Sequence, residues 1–268
     1  MTDEIERLSE LIANSKRAVA FTGAGVSTES GIADFRSPGG IWSRMQPIEF
    51  DDFVSSEEMR KESWRRKRVI DRDFKAARPN RGHRALAALI ERGTMSAIIT
   101  QNIDGLHQAS GVSDAKVIEL HGNSTYAVCL NCNKRYELEP IFETFERDET
   151  LPVCGACGGL VKTATISFGQ SMPAAAMDRA EEETLACDLF IAIGSSLVVY
   201  PAAAFPVLAK RNGSTLVIVN REPTDQDGAA DLVLHAEIAC AGDALSVKFI
   251  SPLPEGRKAI LSDDGGDI

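Results

Sequence analysis

Met95-Ser96-Ala97-Ile98-Ile99-Thr100-Gln101-Asn102-Ile103-Asp104-Gly105 is the stretch on which the fold turns. An apolar run of strand length ends abruptly in a polar cluster, the pattern of a buried parallel strand whose C-terminal end carries chemistry. The pattern recurs in Lys116-Val117-Ile118-Glu119-Leu120-His121-Gly122. Upstream, Ala18-Val19-Ala20-Phe21-Thr22 is another short apolar run, and it stops at Gly23-Ala24-Gly25-Val26-Ser27-Thr28-Glu29-Ser30-Gly31. Missing β-carbons in such a loop let backbone N–H groups approach a phosphate at a helix start.

Helical periodicity fills the spaces between these runs. Ile5, Leu8, Leu11 and Ile12 share one face of an opening helix, and Pro79-Asn80 starts another that carries Ala85, Leu86, Leu89 and Ile90. Further on, helices are expected over 174–185 and 201–210, alternating with strands at 189–193, 215–219 and 232–234. This alternation predicts an α/β fold with a doubly wound, Rossmann-like parallel sheet. Two stretches break the rhythm. Residues 36–79 are irregular and then basic and helical, and residues 122–165 hold two cysteine pairs with little apolar periodicity. The expected organisation is a dinucleotide-binding-type domain from 1–35, 80–121 and 166–255. A smaller domain would come from the helical insertion 36–79 and the module 122–165, and residues 256–268 would form a tail.

Composition narrows the class. With 268 residues, 44% hydrophobic and 25% charged, the chain can bury a sizeable core. No apolar run approaches the ~20 residues needed to cross a bilayer, and the acidic start Met1-Thr2-Asp3-Glu4 is unlike a signal peptide. A cytoplasmic location with no membrane association is the expectation. The net charge of −10 disfavours direct binding to nucleic acid or to an anionic membrane surface. The basic residues between Arg60 and Arg78 read either as a solvated helix face or as a surface for an acidic partner.

Cys129-Leu130-Asn131-Cys132 and Cys154-Gly155-Ala156-Cys157, 21 residues apart, have zinc-ribbon spacing. Four thiolates leave no open position for water, so the metal would be one structural Zn²⁺ holding a module without a core of its own. Cys187 and Cys240 lie in apolar segments and read as core residues. The glycine loop is weak evidence for a nucleotide by itself, because Thr28 stands where the dinucleotide fingerprint has its third glycine. Gly194-Ser195-Ser196 and Asn220-Arg221-Glu222, at two other strand ends, add the hydroxyls, amide and carboxylate that a ribose and an adenine require. Among the histidines, His83 and His235 read as surface or structural residues, and His107 as a structural residue at a helix start. His121 alone falls on the functional edge of the sheet, where it can serve as a general base.

Taken together, residues 23–36, 100–107 and 119–122, the two cysteine pairs, Phe168-Gly169-Gln170, Gly194-Ser195-Ser196-Leu197 and Val219-Asn220 resemble the sirtuins, NAD-dependent protein lysine deacylases, of the bacterial type. The motifs occur in the family's order and span nearly the whole chain. The resemblance implies a cleft between the two domains in which NAD meets an acyl-lysine protein or peptide. It places Gly23, Ala24, Gly25, Thr28, Asp34, Phe35 and Arg36 around the ribose and phosphates, and Gln101, Asn102, Ile103 and Asp104 at the nicotinamide ribose and carboxamide. Gly194, Ser195, Ser196, Asn220, Glu222 and Ala244 would contact the adenosine half. The implied chemistry is displacement: the acyl oxygen attacks the ribose carbon as nicotinamide leaves, and an alkylimidate results. His121 then acts as general base on the ribose hydroxyls, while Asn102 and Asp104 orient the ribose. The peptide would add as a strand among Ile166, Phe168, Gly169, Gln170, Leu197 and Val198.

The chain departs from the family pattern at Ala33 (for proline), at Thr163-Ala164-Thr165-Ile166, and at Gln170 (for glutamate). The Tyr-x-x-Arg pair of members that remove succinyl or malonyl groups is replaced by Glu62-Ser63-Trp64-Arg65, whose carboxylate would repel an acidic acyl group. A neutral acyl group is therefore expected. The alternatives are a protein mono-ADP-ribosyltransferase, in which a side chain intercepts the same activated ribose, and a non-catalytic NAD-binding interaction module.

Overall fold

The computed structural model describes residues 2–35, 40–43 and 45–236. Arg36, Ala244 and Cys240, with the tail, lie outside them. The expected strands form one six-stranded sheet: β1 (Ala18–Thr22), β2 (Met95–Thr100), β3 (Val117–Glu119), β7 (Leu189–Ile193), β8 (Thr215–Val219) and β9 (Leu232–Leu234). All pairings are parallel, in the order β3-β2-β1-β7-β8-β9. The order reverses at β1, so the connections leaving β1 and β7 diverge to opposite faces. That divergence opens a crevice at their C-terminal ends, where open α/β sheets bind ligands.

Both faces of the sheet are covered, which is why its strands read as unbroken apolar runs. Alternate residues Ala18, Ala20, Ile98, Ile191 and Val217 pack against α1 (Thr2–Asn14) and α4 (Arg81–Glu91) through Leu8, Ile12, Leu86 and Leu89. The intervening Val19, Phe21, Ile99, Phe190, Leu216 and Ile218 pack against α7 (Ala174–Ala186) and α8 (Ala204–Arg211) through Ala180, Phe205 and Ala209. Boundaries shift by a few residues from the expectation: α8 starts at Ala204 because residues 201–203 form turns, α7 and α8 each run one residue further, and Lys116 belongs to a 3₁₀ turn ahead of β3. No helix among the described residues is long and apolar enough to cross a membrane.

Residues 122–165 hold a second, antiparallel sheet in the order β5-β4-β6, from β4 (Gly122–Cys129), β5 (Arg135–Glu137) and β6 (Val161–Thr165). They also hold a helix the sequence reading missed, α6 (Leu138–Asp148), whose Leu138, Ile141, Phe142 and Phe145 are buried at helical spacing. The expectation of a module without a core is corrected here. Those residues, with Ala127, Cys129 and Cys154, surround Trp64 of α3 (Glu57–Ala76), which meets Phe142 edge-on at 6.3 Å. The core is shared between the two insertions.

The basic stretch is also corrected, because its acidic partner is the chain itself. Arg65 grips Glu149 through Nε at 2.7 Å and Nη2 at 2.8 Å, Lys75 reaches Glu139 at 2.6 Å, and Arg68 binds Glu146. Lys67 is buried and pairs with Asp71 at 2.9 Å, although burial still pulls its pKa down. Three of these basic residues, Arg65, Arg68 and Lys75, thus reach α6 or the residue that follows it, while Arg60, Lys61, Arg66 and Lys67 pair within the insertion itself.

Candidate active site

At the C-terminal edge of the large sheet, the β1 loop continues as a 3₁₀ segment, Ala24–Ser30. Gly23 N–H donates to the Ile193 carbonyl at 3.0 Å, and Gly25 N–H donates to the Gly194 carbonyl at 2.8 Å. A β-carbon on Gly25 would sit 2.8 Å from Gly194 Cα, and one on Gly23 would sit 2.7 Å from Ser195 Cβ. These two glycines therefore let the β1 loop pack backbone to backbone against the β7 loop, and their N–H groups are engaged there. The sequence reading assigned them to phosphate contact; the geometry gives them loop packing at the cavity wall.

Between these loops and the zinc-ribbon side lies a cavity of about 440 Å³, within the size range of small-molecule sites. Residues expected at a cofactor that line it are Gly23, Ala24, Gly25, Thr28, Asp34, Phe35, Gln101, Asn102, Ile103, Gly194, Ser195, Ser196, Asn220 and Glu222, with the expected base His121. From the expected substrate segment, Ile166, Phe168, Gly169 and Gln170 line it as well. Three expected residues do not. Asp104 accepts a hydrogen bond from Ser27, which does not line the cavity either, Leu197 is buried, and Val198 is exposed to solvent. Thr165, Ser167 and Val199, within the segments expected to face the acyl peptide, line it too, whereas Trp42, Pro47 and Tyr200 line it without having been assigned there. The clearest available signal was Trp42, a large aromatic in an otherwise polar, irregular stretch. Its ring lies 5.5 Å from Phe35 and 5.3 Å from Phe168, joining the cofactor loop to the substrate segment.

The strand-end polar residues hold one another. Gln101 N–H continues the sheet pairing to the Thr22 carbonyl at 2.9 Å, and its side-chain amide donates to Ser195 Oγ at 2.8 Å. Asn102 Nδ2 donates to Ser27 Oγ at 3.2 Å, and Ser27 Oγ donates to Asp104 Oδ2 at 2.7 Å. Buried Ser27 thus holds the two side chains in register. Asp104 Oδ1 accepts from Leu106 N–H at 2.9 Å. Burial nonetheless raises the Asp104 pKa, so desolvation outweighs its hydrogen bonds.

His121 Nδ1 lies 3.0 Å from the Gln101 carbonyl. A carbonyl only accepts, so Nδ1 carries the proton and Nε2 is the basic nitrogen of the neutral ring. The His121 carbonyl in turn accepts Ile166 N–H at 2.9 Å, which ties the base to the substrate segment. Gly122 makes this approach possible: its φ is 71°, and a β-carbon would fall 2.0 Å from the Ala164 carbonyl oxygen. Phe50 N–H donates to the Phe168 carbonyl at 2.8 Å, anchoring the same segment to α2 (Phe50–Ser55). Glu62 plays no part here. Its carboxylate binds Arg66 Nε at 2.6 Å and it does not line the cavity, so it cannot repel a bound acyl group as the sequence reading expected.

The other histidines divide as follows: His83 and His107 are buried, and His235 is exposed, with Nδ1 3.2 Å from the Asn220 carbonyl. At the other end of the molecule the Sγ atoms of Cys129, Cys132, Cys154 and Cys157 all lie within 4.8 Å of one another. Cys129–Cys157 and Cys132–Cys154 separations are 3.5 and 3.6 Å. Four thiolates around Zn²⁺ at ~2.3 Å would stand about 3.8 Å apart, so the cage fits a tetrahedral zinc.

A doubly wound sheet, a loop-lined crevice at its switch point, a histidine of fixed tautomer and a four-cysteine ribbon define a nucleotide-binding protein with a zinc-organised insertion. The chain belongs to the Sir2 family, whose model matches residues 23–201. It is 59% identical over 238 residues to an NAD-dependent protein deacetylase of Rhodopseudomonas palustris, covering 89% of this chain and 94% of that one. With NAD-dependent protein deacetylase 1 of Bradyrhizobium diazoefficiens it shares 60% over 234 residues, covering 87% and 92%. Among solved structures it is similar to a Sir2 variant with deacetylated p53 peptide and 3'-O-acetyl ADP ribose, at TM-score 0.84 and 36% identity, covering 91% of this chain and 98% of that one.

Proposed function

We propose that the chain is an NAD-dependent protein-lysine deacylase, most simply a deacetylase, that releases nicotinamide and O-acyl-ADP-ribose. The observation that carries this reading is His121 facing the same cavity as Gln101, Asn102 and Ile103, with Nε2 as its basic nitrogen. A protein that only bound NAD would have no use for a base held in one tautomer beside the polar strand end. The relatives named NAD-dependent protein deacetylase, and a similar Sir2 structure containing p53 peptide and NAD⁺, support it.

In this reading the loop 24–35 and the ends of β2, β7 and β8 hold NAD. Asn102 and Asp104, joined through Ser27, orient the ribose and stabilise the positive charge that develops there, an effect worth several kcal/mol of barrier. His121 Nε2 takes a proton from the ribose hydroxyls. The acyl-lysine peptide lies along Ile166–Gln170, with the exposed rings and side chains of Phe168, Val198 and Tyr200 at the rim. Gln170 Oε1 accepts from Ser167 N–H at 3.1 Å, so the amide closes the turn at this segment and adds no charge. Because Glu62 lies outside the cavity, preference for a neutral acyl group rests on the apolar rim and on the uncharged Gln170. The four cysteines hold one structural Zn²⁺.

The test is incubation of the purified chain with acetyl-lysine peptide and NAD, followed by mass spectrometry. Nicotinamide and O-acetyl-ADP-ribose are expected, with His121→Ala binding NAD but turning over about 10² to 10⁴ times more slowly. Full turnover in that variant would refute the assigned base. Labelled NAD ending as ADP-ribose fixed on protein would instead favour ADP-ribosyl transfer.

A further inference from the structure

Two buried histidines lie outside the cavity yet are hydrogen-bonded towards both of its halves. His83 and His107 are 0% and 2% exposed, with ring centroids 5.1 Å apart. His107 Nε2 meets Thr22 Oγ1 at 2.9 Å, and that hydroxyl donates to Thr100 Oγ1 at 2.8 Å. With the Thr22 proton directed at Thr100, the first bond is donated by Nε2–H. Thr100 Oγ1 also accepts the backbone N–H of Asn102 at 3.0 Å. Three successive buried hydrogen bonds therefore run beneath the ends of β1 and β2 from His107 to the backbone of Asn102.

His83 connects to the other half. Its Nδ1 accepts Asn80 N–H at 3.4 Å while Asn80 Oδ1 accepts His83 N–H at 3.2 Å, the reciprocal cap of α4. Asn80 Nδ2 then donates to the Val26 carbonyl at 2.7 Å and to Ser30 Oγ at 3.0 Å, both within the 24–30 segment.

The core does not require this arrangement. Valine is isosteric with each threonine and suits a parallel strand, and apolar rings would fill the histidine sites without desolvating polar atoms. As built, His83 Nε2 and His107 Nδ1 are buried with no hydrogen-bond partner among the described residues, a desolvation cost that no bond offsets. Bonds retained at such a cost, and leading to residues of the cavity, mark a functional constraint.

We propose that His83 and His107 are positioning residues for the cavity. His107 sets Asn102 through Thr22 and Thr100, and His83 sets the 24–30 loop through Asn80. The proposal rests on the reading of the cavity as the NAD site, so one arm of its test is independent of NAD.

That arm is hydrogen exchange of the Asn102 amide, followed by NMR in the ligand-free chain. Thr22→Val and His107→Leu are expected to speed it about tenfold or more, whereas His107→Gln, which restores a donor near the Nε2 position, keeps it near wild type. In turnover assays counted per NAD site by calorimetry, the first two variants should lose about tenfold to a hundredfold in kcat with KM for NAD little changed. Asn80→Asp keeps the cap acceptor and removes the donor to the loop, so it should raise KM for NAD with kcat nearly unchanged; His83→Leu should follow it. Unchanged Asn102 exchange with full kcat in Thr22→Val would overturn the His107 half. Wild-type KM in both Asn80→Asp and His83→Leu would overturn the His83 half. Should His107→Leu fail to fold, Thr22→Val decides. A wild-type chain inactive with NAD would refute the functional reading, while the exchange arm still judges the relay.

Discussion

Mild acid provides the sharpest test of the buried histidine pair, because the magnitude follows directly from their burial. Burial first, and then the neighbouring Arg84 cation, pulls the His83 pKa down from 6.5 to about 4. Burial first, and then His83, pulls the His107 pKa down to about 3. In the unfolded chain each ring takes up a proton as the pH falls through 6.5, while the folded state does not until far lower. Stability that is complete above about pH 7 is therefore lost progressively as the pH drops from 6.5 towards 3 or 4. At pH 5 both folded pKa values are still below the solution pH, so each ring costs about 1.36 kcal/mol for each of 1.5 pH units, about 2 kcal/mol, and the pair about 4. The zinc thiolates and the carboxylates also titrate, but a comparison with His107→Gln cancels them, since they are common to both proteins. Urea denaturation at pH 7.5 and 5.0 should show that the stability difference between wild type and His107→Gln moves by about 2 kcal/mol in the variant's favour at the lower pH. A difference that stays constant within about 0.5 kcal/mol would show that the ring titrates normally and would refute the claim that it is held neutral.

Three further outcomes follow from the insertion and its junction with the sheet. Metal analysis should find one zinc per chain; chelation, or Cys132→Ser, should unfold the 122–165 sheet and abolish turnover, with lost protection in hydrogen exchange confined first to that module. Trp64→Ala, which empties the fully buried centre of the shared core, should cost about 3–5 kcal/mol in chemical denaturation and weaken both insertions together. Gly122→Ala must either leave the left-handed conformation at φ 71° or drive its β-carbon into the Ala164 carbonyl, so it should lower Tm and turnover together, and wild-type turnover would contradict the tight junction between His121 and Ile166.

The strands of the large sheet were legible because a parallel strand covered on both faces is buried at every position and so reads as a near-continuous apolar run, as Leu189–Ile193 does throughout and Ala18–Thr22 does up to its last residue. Their polar ends were legible for the complementary reason: Gln101, Asn102 and His121 follow immediately, where a core residue would be expected. The cysteine cage was written in spacing alone. What escaped depended on partners distant in sequence. The face of α3 looked like a solvated surface because Glu139, Glu146 and Glu149 lie on or just beyond a helix formed some seventy residues later. Glu62 looked like a selectivity device because only the fold shows Arg66 bound to it and the cavity elsewhere. Leu138, Ile141, Phe142 and Phe145 did carry helical spacing, but the indole they enclose, Trp64, belongs to the other insertion.

The glycine loop shows most clearly how a correct motif can carry an incomplete physical reason. Gly23 and Gly25 are needed whatever ligand is present, since a β-carbon at either would strike Gly194 or Ser195. Their effect on the site is therefore indirect and runs through the β7 loop. Packing the two loops together brings Ser195 within 2.8 Å of Gln101 Nε2, and that amide begins the polar cluster ending at Asp104. On the opposite side, Asn80 holds the same loop at Val26 and Ser30, and Ser27 between those two points reaches both Asn102 and Asp104. The loop is thus clamped at both ends, and its central serine sets the spacing of the two side chains assigned to the ribose. A small displacement at either clamp would be transmitted to Asn102, which is why residues that never touch the cavity can govern its chemistry.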